Sequence, residues 1–126
     1  MAADSFPIKR LLKFQVFLLI LVFLFLTGET TFSRQVELDK QYHQATTLKK
    51  LEQIVLEIQK IIDDKPNQLE WEWRLARSHY AIAKMSDDNH HYDLCIKHSS
   101  RSLKINSDSA ISYFFRALCL GKQGEM

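Results

Sequence analysis

The chain has 126 residues, 46% of them apolar and 25% charged, the balance of an ordinary globular domain with room for one core. Two prolines and three glycines leave too little turn chemistry for an all-β fold, which needs a turn every ~8–12 residues. The net charge of +2 resides at the N-terminal end, where Lys9, Arg10 and Lys13 stand against Asp4. The remainder holds as many bases as acids, so the basic stripe that nucleic-acid binding demands is missing.

Three bases at 9–13 precede Phe14–Leu26, an apolar run in which only Gln15 is polar. That is the layout of an export signal. A helix of this length rises about 20 Å against a hydrocarbon core of roughly 30 Å, which favours a cleaved signal over a span. Adding Leu11, Leu12, Thr27 and Gly28, with Lys13 snorkelling, makes a membrane anchor equally compatible. Thr31-Phe32-Ser33 is the best cleavage motif, cutting before Arg34. Residues 1–33 are therefore expected to be a signal peptide or anchor, and residues 34–126 the folded body. In a bacterial host the body would face away from the cytoplasm.

Residues 30–40 are polar without clear period and read as a tether, although helical spacing begins at Leu38, Tyr42 and Ala45. From Leu48 to Ile62 a broad apolar stripe predicts an amphipathic helix, ended by Asp63-Asp64-Lys65-Pro66-Asn67 because Pro cannot continue it. A third helix is expected from Gln68 to Lys84, with Leu69, Trp73, Ala76, Tyr80 and Ala83 on one face. A fourth runs from His91 to Ile105, and Asn106-Ser107-Asp108-Ser109 supplies capping side chains for a fifth, from Ala110 to Gly121. The fold class is all-α.

Two helix-closing turns, at Asp64-Lys65-Pro66-Asn67 and Ile105-Asn106-Ser107-Asp108, lie 41 positions apart, and each joins an amphipathic helix to an aromatic-bearing one. The stretch from Ser102 to Phe114 resembles the junction between tetratricopeptide repeats, whose period is about 34. On that frame Ser102 takes the small position of a second helix, Tyr113 the large aromatic position, Ala117 the small position and Gly124 the turn glycine. Trp73, Ala76 and Tyr80 fall at the corresponding packing positions upstream, and Ile54, Ile58 and Ile61 fill the second helix of the repeat before. Position 107 lacks the usual Pro, and Arg77 and Arg116 replace residues commonly Gly and Leu.

Residues 69–80, with their Trp73-Arg74-Leu75-Ala76-Arg77 core and Tyr80, and residues 110–121 are similar to a divergent tetratricopeptide family. That family holds the periplasmic T component of tripartite ATP-independent periplasmic (TRAP) transporters and the eukaryotic regulators of microtubule dynamics. The resemblance implies an antiparallel helix-hairpin solenoid that binds a partner. One reading is an accessory subunit in or facing the periplasm, engaging a solute-binding protein; the alternative is a membrane-anchored eukaryotic adaptor. In the repeat frame Trp71, Arg74, Ser78, Phe114 and Leu118 point to the concave face, where such proteins bind.

No Gly-rich phosphate loop, nucleophile elbow or HExxH motif occurs, so neither an enzyme nor a cofactor is expected. His90, His91 and His98 are near one another in sequence but read, with Asp87, Asp88 and Asp93, as a solvated helix start and not a metal site. Cys95 and Cys119 lack metal-ligand spacing and read as small core residues that oxidation in an exported chain would be able to join, if their Cα atoms approach. The last helix, with one charge in the eleven residues from Ala110 to Leu120, is apolar on nearly every side. It is expected to need cover, from further repeats of a longer protein or from a second subunit.

Overall fold

The computed structural model describes residues 6–27 and 31–125, with side chains placed from 8 to 23 and from 31 onward. Among the described residues it is all-helical: α1 (Phe6–Thr27), α2 (Thr31–Gln44), α3 (Leu48–Asp64), α4 (Leu69–Ser86), α5 (Asn89–Ile105) and α6 (Ala110–Gly124). Two compact units divide the chain, Met1–Asp39 and Lys40–Met126. Gly28 and the expected start of the tether at Thr30 lie outside the described residues.

In the first unit, α1 contains the apolar run, and every described side chain from 8 to 23 is exposed. Among the described residues no helix is long and apolar enough to cross a membrane. The expected tether is instead helical from Thr31. No Gly or Pro interrupts residues 31–47, and Glu37, Leu38, Lys40 and Gln41 are good helix formers, so helix costs this polar segment little. Leu38 is buried within it.

In the second unit α3 packs on α4, α4 on α5 and α5 on α6, with α4 also touching α6. Each boundary has a local cause. Thr47 caps α3, its side chain accepting from the Lys50 N–H, and Lys65 ends that helix in extended backbone just before Pro66. Asp87 closes α4 in the left-handed region at φ 54°, and Asp88 then caps α5 by accepting from the His90 N–H. Ser109 caps α6. That helix continues to Gly124, three residues past its expected end, so Gly124 belongs to the helix and not to a turn.

The core of this unit joins Trp73, Ala76 and Ala83 of α4, Tyr92 and Cys95 of α5, and Phe115 and Cys119 of α6. A disulfide links Cys95 to Cys119, with Cα atoms 6.3 Å apart, so the two small core residues of the sequence reading are also a covalent staple. Beside it α5 and α6 meet through small residues. Ser102 and Ser112 are fully buried, their hydroxyls are 2.6 Å apart, and Ser109 extends the chain to Ser112 at 2.7 Å. Side chains this short permit close helix approach, and each buried hydroxyl finds a partner.

Candidate functional site

α4 is flanked by α3, α5 and α6, and its residues from Trp71 through His79 are buried without interruption. The three α4 residues expected on the concave face, Trp71, Arg74 and Ser78, are among them. Trp71 is 1% exposed and Ser78 not at all, and Ser78 donates its hydroxyl hydrogen to the Arg74 carbonyl at 2.9 Å. Arg74 is buried too, its guanidinium lying 4.2 Å from the centre of the Trp73 ring and bonded to the Glu70 carboxylate at 2.9 Å. Arg74 and Ser78 thus spend their polar groups inside α4, and Trp71 is buried with its indole N–H unpartnered. The reason is positional: a helix with neighbours on three sides presents no free stripe at its middle.

Arg77 stacks over Tyr42 with its guanidinium carbon 4.0 Å from the ring centre. Burial pushes the Tyr42 phenol up, and the Arg77 cation opposes that shift.

Phe114 and Leu118 fare differently. On α6 the buried residues Ser112, Phe115 and Cys119 recur at i, i+3 and i+7, one inward stripe. The remaining apolar side chains face outward: Phe114 is 57% exposed, and Ile111, Tyr113 and Leu120 are exposed beside it. Phe114, Ala117, Leu118 and Gly121 line a shallow depression of about 390 Å³, with Lys122 and Glu125 at its edge. Those two form an exposed ion pair at 3.2 Å. The structure therefore keeps Phe114 and Leu118 together on one surface and separates them from Trp71, Arg74 and Ser78.

The histidines are not all on a solvated helix start. His98 is buried, and its Nδ1 lies 2.8 Å from the Glu72 carboxylate, also buried. His79, from the middle of α4, stacks on His98 with ring centres 5.7 Å apart, and its Nδ1 is 2.9 Å from Nδ1 of His91. One of those two nitrogens must donate and the other accept, so the contact requires an unprotonated nitrogen on one ring. Burial, and then the nearby imidazoles of His98, His91 and His90, hold His79 down to about 3. Among the described residues no group of three or more His, Cys, Asp or Glu is arranged to hold a metal.

Sequence reasoning missed the Glu72–His98 pair because its partners are 26 positions apart on different helices, and no local motif joins them. It also left the cysteine pairing open, although both cysteines fall on inward stripes of adjacent helices. No known protein family, curated protein or solved structure matches the chain.

Proposed function

We propose that this chain is an exported or membrane-anchored helical-repeat scaffold, without catalytic activity of its own, that binds a protein partner through the outer face of α6. The observation that carries the reading is the line of exposed apolar side chains on α6, with Phe114 and Leu118 forming a depression on a helix whose opposite side is already buried. Contiguous apolar surface of this kind is characteristic of interaction sites, and aromatic side chains dominate interface energies. The similarity of residues 69–80 and 110–121 to the T component of TRAP transporters makes a periplasmic accessory subunit the preferred version, with a solute-binding protein as partner.

The alternative, a eukaryotic adaptor resembling regulators of microtubule dynamics, is less favoured. The Cys95–Cys119 disulfide suits an oxidising compartment and not a cytosolic one, in agreement with the bases and apolar run of residues 9–26. A photoreactive amino acid at position 114 should capture one discrete partner in membranes of the native host, and Phe114→Asp should abolish capture from a neighbouring position. A probe at Glu52, exposed on α3, should capture nothing comparable. Identical products from both positions would refute the α6 surface.

A further inference from the structure

We propose that the groove bounded by the end of α3, the Pro66–Asn67 turn and the end of α5 is a binding site for a small zwitterion, an amino acid or short peptide that presents both an ammonium group and a carboxylate. The groove encloses about 800 Å³, within the range of sites that hold small molecules. Its wall includes the Glu72 carboxylate, the Asp63 carboxylate, Arg101 and Lys104, with Ile62, Pro66 and Ile105 supplying apolar surface.

Glu72 makes this more than a surface dent. Its side chain is 5% exposed, and a buried carboxylate is costly unless its oxygens are satisfied. The His98 ring takes up one of them, Oε2, but a carboxylate has about four lone-pair sites on its two oxygens. Glu72 therefore reaches the groove with accepting capacity that His98 does not use. Asp63 is similar, one of its oxygens accepting from the Gln59 amide at 2.9 Å. Ammonium donors answer both groups.

Arg101 and Lys104 supply the opposite half. They stand at i and i+3 on α5, on one face of the helix, and among the described residues neither enters an ion pair or a side-chain hydrogen bond. A guanidinium is suited to bidentate contact with a carboxylate. A ligand that is only anionic meets the repulsion of Glu72 and Asp63, and one that is only cationic meets Arg101 and Lys104. A zwitterion satisfies both halves, and the apolar residues receive its aliphatic body.

This site lies on α3, α4 and α5 and not on the outer face of α6, so it stands or falls apart from the partner-binding reading. The test is calorimetric titration of the full chain with the dipeptide lysylglutamate, with free glutamate, and with putrescine and glutarate as probes that carry charge of one sign only. Lysylglutamate should bind more tightly than either one-sign probe, and free glutamate binding at least as tightly as the dipeptide would assign an amino acid in place of a peptide. Arg101→Ala combined with Lys104→Ala, both at exposed positions, should weaken binding at least about tenfold. Glu72→Gln, which can still accept from His98, should do the same with its circular dichroism unchanged; if that variant fails to fold, the double variant decides. No heat with lysylglutamate, equal affinity for all probes, or a double variant that binds like the wild type would overturn the proposal.

Discussion

α4 and α6 invert the usual rule for where polar and apolar groups go. α4 carries Glu72, Arg74, Arg77 and His79 inside, whereas α6 exposes Ile111, Tyr113, Phe114 and Leu120. The difference teaches that burial here follows a helix's place among its neighbours more closely than its hydropathy. α4, with α3, α5 and α6 around it, stacks its guanidiniums on rings and pairs Glu72 with His98. α6 needs only the stripe through Ser112, Phe115 and Cys119 to join the unit, and its remaining apolar surface is left outward.

The sharpest way to break this contrast is to truncate the two tryptophans of α4. The repeat frame assigns Trp73 to the core and Trp71 to a partner, so that Trp71→Ala should spare stability. The structure reverses the second expectation, since Trp71 is 1% exposed and Trp73 is 7%. Each alanine variant should lose about 3–5 kcal/mol in chemical denaturation, as aromatic truncation in a core does. A Trp71→Ala protein with wild-type stability would restore the partner-facing assignment and remove the basis for treating α4 as buried on every side.

Next in size is the link that fastens α6 to the rest. The disulfide closes a loop of sequence separation 24, for which chain entropy assigns about 3–4 kcal/mol. Reduction, or Cys95→Ser with Cys119→Ser, should lower the denaturant midpoint accordingly. Loss of order should be greatest in α6, which hydrogen exchange would locate; uniform loss over α3 to α6 would show that α6 is no separate layer.

The polar interior of α4 should also show in the pH dependence of stability. His79 is held down to about 3 from an ordinary value of 6.5, so between those limits the unfolded chain binds a proton there that the folded chain refuses. Stability is then complete above about pH 6.5 and falls as pH falls, by up to ~1.4 kcal/mol per unit. His79→Phe should flatten that slope. A slope unchanged by the substitution would place the acid sensitivity in other groups.

Most of the helical layout was legible because amphipathic stripes and capping residues are local. Leu51, Ile54, Ile58 and Ile62 mark the inner face of α3 and Pro66 follows its end, all within a few residues. The partner-binding set was only half legible. Phe114 and Leu118 share one helix, so spacing alone placed them together, but Trp71, Arg74 and Ser78 were assigned by a repeat frame that does not specify how many neighbours α4 has. The helix at 31–37 was missed for the opposite reason: a polar segment without an apolar period gives no pattern, and only its freedom from Gly and Pro favours helix.

The smallest expected effect on stability tests the other side of the contrast. Phe114→Ser changes a side chain that is 57% exposed and meets the core at an edge-on contact with the Phe115 ring, centroids 5.2 Å apart. Exposed positions away from caps and cores usually shift stability by no more than about 0.5 kcal/mol, so the melt should hardly move. The apolar depression loses its largest wall, and binding of a hydrophobic dye by residues 34–126, together with their self-association in light scattering, should fall. Leu118→Ser should act in the same direction with a larger stability cost, because Leu118 also packs against the core. A Phe114→Ser variant that melts early would mean that Phe114 is a core residue covered within the unit, and the outward face of α6 would cease to be a surface for any partner.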